Sequence, residues 1–259
     1  MKVSQLLVVL GGLFISAFAS VTRDVSTITS DRPIKHFTLN VTEVFDTLNG
    51  DENNKRILYA INGAPFNGGK ALRVNEGDRV IIDLLNNAYS MNTTLHGHGI
   101  PQDGTPWSDG VPGITQSLVE PGQNFTYDFF AENISNAYWL HSHISDLYQD
   151  GIALPIYFTP SVDRKRPFSL IPNITKDEVE ALTEMDKNPE IMMVSDYSVL
   201  NATQQISKSK YWHSELLCYD SILINGRGRI NCPSMHLLET YADANPNALI
   251  SSDIVTAKG

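Results

Sequence analysis

The sequence predicts an all-β first half built as a Greek-key sandwich or barrel. Two observations carry that prediction. Short apolar runs with strand periodicity recur between residues 37 and 158, and clusters of Gly, Asn, Asp and Pro separate them. Alternate residues of a strand share a face, so Phe37, Leu39 and Val41 mark the buried side of the first strand. Asn49-Gly50 turns the chain into a second, Arg56–Ile61. Asn67-Gly68-Gly69 and Glu76-Gly77-Asp78 precede a third run at 79–85. Pro121-Gly122 opens Asn124–Phe130, and runs at 137–141 and 152–158 complete the series. Residues 34–160, about 125 positions, are enough to bury one core.

The next stretch, 161–189, is polar and reads as a linker. Within it Thr175 and Glu178 form a T-x-x-E capping box ahead of a short helix, Lys176–Met185. A second strand series starts at Glu190 and continues through 221–225 into the turn Gly226-Arg227-Gly228. Residues 190–259 fall short of the roughly 100 that a sandwich domain needs, so the expectation is a second domain that begins and does not finish. No internal repeat or low-complexity tract is present.

Residues 1–19 read as a secretory signal: Lys2, an apolar run at 6–18, and the small-x-small site Ala17-Phe18-Ala19. That run is too short and too Gly-broken for a stable membrane span. A polar segment follows at 20–33. Six N-x-S/T sequons, at Asn40, Asn92, Asn124, Asn133, Asn173 and Asn201, fit a secreted, extracellular glycoprotein. The net charge is −10 with no basic patch, which argues against nucleic acid. The two cysteines, Cys218 and Cys232, can form a disulfide in a secretory compartment, or one can serve as a metal thiolate.

Four of the seven histidines lie in two His-x-His pairs, His96/His98 and His141/His143. In a strand, positions i and i+2 aim at one volume, and imidazole is a good ligand for copper and zinc. The frames are specific: His96-Gly97-His98-Gly99, then Gln102 and Thr105-Pro106-Trp107-Ser108-Asp109-Gly110, then Tyr138-Trp139-Leu140-His141-Ser142-His143 and Asp150-Gly151. They resemble the first-domain copper motifs of the multicopper oxidases, of the laccase and ascorbate oxidase kind. A weaker resemblance runs from about Lys35 to the C-terminus.

The resemblance implies a cupredoxin-like sandwich at 34–160 and the start of a second cupredoxin at 190–259. It implies copper as cofactor, dioxygen and a small organic reductant such as a phenol or ascorbate as partners, and one-electron oxidation coupled to reduction of dioxygen to water. By the same resemblance His96 binds a type 2 copper, His98 and His141 share one type 3 copper, and His143 binds the other. Asp109 is the candidate catalytic residue, a carboxylate that assists proton delivery to reduced oxygen. Trp107 and Trp139 are expected to pack around the cluster.

A type 1 site needs a Cys thiolate with two His. Cys218 and Cys232 have no histidine neighbours, and His36, His213 and His236 form no cluster in sequence. The chain is therefore expected to be the N-terminal part of a longer enzyme whose last cupredoxin domain supplies the remaining ligands. Two positions depart from many laccases: Ser117 and Gln149 stand where cysteines of interdomain disulfides are found. Iron is the second choice of reductant, because Glu215 lies near, but offset from, an acidic position of fungal ferroxidases. A copper-binding module without turnover and a metal-free adhesive sandwich are the competing readings.

Overall fold

The structure, a computed structural model, describes residues 32–145, 147–212 and 219–228. The signal-like segment 1–19, most of 20–33, and His213, Glu215, Cys218, Cys232 and His236 lie outside the described residues. The described residues from Pro33 onward belong to one compact unit.

Eight strands form two four-stranded sheets. The first holds β2 (Arg56–Ile61), β1 (Ile34–Asp46), β4 (Arg79–Asn86) and β6 (Asn124–Phe130), in that order. β1 runs parallel to β4 along its first half and antiparallel to β2 along its second. It changes partner at Val41, which pairs with both Asn86 and Ile61. The second sheet holds β3 (Leu72–Asn75), β8 (Ala153–Thr159), β7 (Asn136–His141) and β5 (His96–His98), with β3 parallel to β8 and the rest antiparallel.

Strand alternation builds the core. In β4 Val80, Ile82, Leu84 and Asn86 are buried while their neighbours are half-exposed. They meet Leu39, Val41, Tyr127 and Phe129 of the same sheet and Val74, Leu140, Leu154, Ile156 and Phe158 of the other. Burying each large apolar side chain contributes about 1.5–3 kcal/mol. Asn86, fully buried at the end of β4, donates to the carbonyls of Met91 and Val119 and accepts from the Ala88 N–H. A buried amide is retained only when its polar atoms are paired. Here those bonds shape the loop that leads into β5.

β8 departs from alternation: residues 153–158 are all buried. Leu154, Ile156 and Phe158 face the main core, while Ala153 joins a second cluster with Leu58, Phe66, Tyr197 and Leu223. Tyr197 and Leu223 come from a two-stranded sheet of β9 (Val194–Tyr197) and β10 (Ser221–Ile224). A strand covered on both faces reads as a continuous apolar run, as this one does.

The capping box at Thr175 and Glu178 is present as expected, with both reciprocal bonds, at the start of α1 (Lys176–Met185). The sequence reading missed two elements. β3 has four residues between glycine turns, too few to register as alternation. α2 (Ala202–Trp212) has no apolar stripe to announce it. Its signal was the N-x-x-Q pattern, in which the Asn201 side chain accepts from Gln204 N and the Gln204 side chain accepts from Asn201 N. The second strand series begins at Val194 rather than Glu190, because 190–193 have no strand partner.

Glu76, at the β3–β4 turn, holds the exit from β8. Its Oε2 accepts from Ser161 N at 2.9 Å and Arg164 Nε at 2.8 Å, and Oε1 meets the second Arg164 nitrogen. The Arg164 guanidinium, chief among these contacts, holds the Glu76 carboxyl down at about 2. A lowered carboxylate pKa stabilises the folded state fully above the unfolded value near 4.5 and loses that contribution as pH falls toward 2. Glu76→Gln is expected to cost about 2 kcal/mol at neutral pH and to remove this component of acid sensitivity. Thermal unfolding of both proteins from pH 7 down to pH 2 checks it; equal losses on acidification would contradict it.

Candidate metal centre

The two histidine pairs meet on the β5–β7 ladder. His96 lies directly opposite His141, and His98 opposite Trp139. Directly opposed residues share a face, as do i and i+2 of one strand, so His96, His98, Trp139 and His141 all project from one side. Ring centroids lie 5.7 Å apart for His96–His98, 5.4 Å for His96–His141 and 5.4 Å for His98–His141. One nitrogen from each of these three rings falls within 4.8 Å of the others. His143, just beyond β7, completes the group at 5.2 Å from His96 and 6.0 Å from His141. His98 and His143 are exposed, His96 is half-buried and His141 is buried, so the group lies at the surface with one member set inward.

Hydrogen bonds fix the rings. A carbonyl can only accept, so His96 Nδ1 donates to the Asp109 carbonyl at 2.6 Å and His141 Nδ1 donates to the Ser142 carbonyl at 2.9 Å. Both leave Nε2 as a lone-pair donor. His141 Nε2 then sits 3.2 Å from His98 Nδ1. Burial, together with the neighbouring imidazoles, pushes the His141 pKa down to about 4, so it stays neutral at physiological pH, the form that binds metal. Trp139 stacks on His141 with centroids 4.0 Å apart and planes 19° apart, and on His98 at 5.2 Å and 26°. Tyr148 closes edge-on against both Trp139 and His141.

Further residues pin the backbone behind these rings. Leu95 N donates to the buried Tyr127 hydroxyl at 2.8 Å, which sets the start of β5. The buried hydroxyls of Thr93 and Ser142 meet at 3.2 Å, tying the approach to β5 to the residue between the second histidine pair. Ser108 Oγ donates to the Asp128 carbonyl and accepts from the Asp128 N–H, both at 3.0 Å, so the loop bearing Asp109 is held to β6. The sequence reading assigned none of these hydroxyls a role, because a Ser, Thr or Tyr carries no signal of its distant partner.

Asp109 has its carboxylate Oδ1 3.4 Å from His96 Nδ1, in addition to the backbone contact, and remains partly open to solvent. The two tryptophans differ. Trp139 packs in the cluster as expected, whereas Trp107 is 55% exposed and does not.

Gly110 closes the loop against β5. Its φ of +83° is left-handed, and a Cβ there would lie 2.0 Å from the Leu95 carbonyl oxygen. Only glycine satisfies both conditions. Gly110→Ala is expected to destabilise the fold by about 2 kcal/mol or more. It is also expected to raise the mobility of the His96 ring, because the Asp109 carbonyl must shift. Chemical denaturation and imidazole NMR line shapes report the two effects; unchanged stability would contradict the steric argument.

Comparison with known proteins bears on this arrangement. A multicopper oxidase family model matches residues 45–162. The chain is 39% identical over 191 residues to a multicopper oxidase from Talaromyces pinophilus, covering 74% of this chain and 31% of that one. It is 34% identical over 225 residues to laccase abr2 of Aspergillus fumigatus, covering 86% of this chain and 37% of that one. It thus spans about a third of the length of these relatives. Among solved structures, Fet3p, described as a multicopper oxidase that functions in iron import, superposes with a TM-score of 0.57 at 24% identity, over 75% of this chain and 33% of that one. The two-sheet architecture is thereby cupredoxin-like, and this chain belongs to the multicopper oxidase family.

Proposed function

We propose that this chain supplies His96, His98, His141 and His143 to the copper site of a secreted oxidoreductase. That enzyme couples one-electron oxidation of a small organic reductant, such as a phenol or ascorbate, to reduction of dioxygen to water. The histidine cluster carries the reading: three imidazole nitrogens within 4.8 Å, with the Nδ1 atoms of His96 and His141 already committed to carbonyls. A compact set of neutral imidazoles suits copper.

In this reading His96 serves a type 2 copper, His98 and His141 share one type 3 copper, and His143 serves the other. The 3.2 Å separation of the His98 and His141 nitrogens supports their sharing an ion. Copper, when bound, supplies the one-electron redox steps. The chain's own residues hold the ligands and handle protons. Trp139 and Tyr148 shield His141 from water, and the Asp109 carbonyl fixes the His96 tautomer. The Asp109 carboxylate, beside His96 and partly open to solvent, is placed to take up a proton and pass it inward. The type 1 copper and the remaining ligands belong to a further cupredoxin domain.

Residues 34–160 then form the first cupredoxin domain, 161–189 a linker containing α1, and 190–259 the beginning of a second; the β9–β10 sheet supports that beginning. Secretion and glycosylation rest on the signal-like segment and the sequons, of which Asn124, Asn133 and Asn173 are exposed. Among the described residues no helix is long and apolar enough to cross a membrane.

Copper titration of the purified chain tests the reading. Copper(II) is expected to bind with nitrogen hyperfine structure in electron paramagnetic resonance, and His98→Ala and His141→Ala are each expected to weaken it at least about tenfold. Unchanged binding after loss of all four histidines would sink the proposal. The chain alone is expected to show neither an intense blue thiolate absorption nor oxidase turnover, and either one would overturn the assignment of the type 1 site elsewhere.

In the assembled, copper-loaded oxidase, Asp109→Asn is expected to keep its copper yet slow reoxidation by dioxygen about 10²-fold, most severely at high pH. Reoxidation at the unaltered rate would reduce Asp109 to a loop residue. Loss of copper would make it a positioning residue for His96.

A further inference from the structure

Arg56 and Asp150 form an ion pair, Nη1 to Oδ1 at 2.7 Å, with side chains only 11% and 4% exposed. A charge pair buried so fully is costly unless further polar groups surround it. Here they do. Asp150 Oδ2 accepts from Ala202 N, the first N–H of α2, at 2.9 Å. Arg56 Nη2 donates to the Ser198 carbonyl and Nη1 to the Ile57 carbonyl, both at 3.2 Å. The guanidinium also lies 5.3 Å from the centre of the Tyr197 ring. One pair thus joins β2, the end of β9 and the start of α2 to the single turn Leu147–Asp150.

That turn leads back to the histidines. It follows His143 by a few residues, and Tyr148 within it lies edge-on to His141 at 5.8 Å and to Trp139 at 5.9 Å. Its own backbone bonds are long: Leu147 N to the Ile144 carbonyl is 3.3 Å, and Gly151 N to the Tyr148 carbonyl is 3.4 Å. Bonds of that length hold a turn weakly. Asp150, two residues beyond Tyr148, is the charged anchor of the turn, and its partners lie in β2 and at the entry to α2.

We propose that Arg56 and Asp150 are positioning residues for the metal centre. They hold Tyr148 against His141 and Trp139, and they do so only while residues 198–202 are seated on the sandwich. The histidine cluster is thereby coupled to the small β9–β10 sheet and α2. For copper, the inference rests on the reading of the histidines as ligands; for the placement of Tyr148, it does not.

The test uses the full chain and copper(II) as the metal probe. Asp150→Asn keeps an acceptor for Ala202 N and removes the charge. Arg56→Met with Asp150→Asn removes both charges, so the fold is expected to persist even where a single change strands a buried ion. In the metal-free chain, both variants are expected to shift the assigned indole N–H resonance of Trp139, because the Tyr148 ring moves. In the copper titration both are expected to weaken binding about tenfold, as loss of a group that orients a ligand does. With Tyr148→Leu already in place, the paired substitution is expected to weaken copper no further. Glu76→Gln, a stability change at the β3–β4 turn, is the control and is expected to move neither readout. An unmoved Trp139 resonance, unaltered copper affinity, an undiminished effect in the Tyr148→Leu chain, or an equal response to Glu76→Gln overturns the proposal. If the unaltered chain binds no copper, the copper reading fails by itself, and the Trp139 resonance still decides the positioning role.

Discussion

The pairing of β5 with β7 is only three residues long, and the histidine cluster depends on its register. His96 opposite His141 and His98 opposite Trp139 is the arrangement that gathers three imidazoles and one indole on a single face. A slip of one residue would turn His96 and His98 to the other side of the sheet. So short a ladder cannot set its own register. The surrounding core sets it instead: Tyr127 holds Leu95, the Asn86 amide shapes the preceding loop, Thr93 meets Ser142, and Gly110 lies close against Leu95. The cluster's geometry is thus an output of the sandwich core, delivered through hydroxyl and amide contacts to the backbone on either side of the histidines.

Neighbouring carbonyls and burial then fix the chemical state of the histidines. Two of the four rings have their tautomer chosen by a carbonyl, and burial keeps His141 neutral. Gathering several imidazoles carries an electrostatic cost if they are protonated together. Setting one member into the sheet beneath an indole lowers that cost by disfavouring its charged form. The exposed pair, His98 and His143, keeps access from outside. One inward, one half-buried and two outward rings give a cluster that is ordered by its own hydrogen bonds and packing yet open to the outside.

Most of this fold was legible in the sequence wherever one face of a strand is wet. β1, β2, β4 and β6 show alternation; the ends of β2, β4 and β6 fall within a residue of the positions read from the pattern, whereas β1 extends beyond Phe37–Val41 on both sides. The helix at Lys176 announced itself through the reciprocal Thr175–Glu178 bonds, and the histidine frames announced the cluster. Contacts between distant residues were not legible. Asp150 enters the sequence reading only as part of the Asp150-Gly151 frame, yet its carboxylate pairs with Arg56 at 2.7 Å and accepts from Ala202 N, 52 positions along the chain. Nor does Ser108, within Trp-Ser-Asp-Gly, reveal that its hydroxyl bonds to the backbone of β6. A local pattern reports periodicity and turn chemistry; it does not report which strand a side chain will meet.

The continuous burial of β8 bears on how such proteins can be divided. One face of this strand belongs to the sandwich core, while Ala153 on the other lies beside Tyr197 and Leu223 of the small β9–β10 sheet. A chain ending at Thr159 would therefore expose Ala153, Leu58 and Phe66 to water. The natural unit of inheritance is then larger than one sandwich. A gene rearrangement that moved the histidine-bearing domain intact would have to carry the residues through Ile224 with it, or replace that cover with another apolar surface of the same shape.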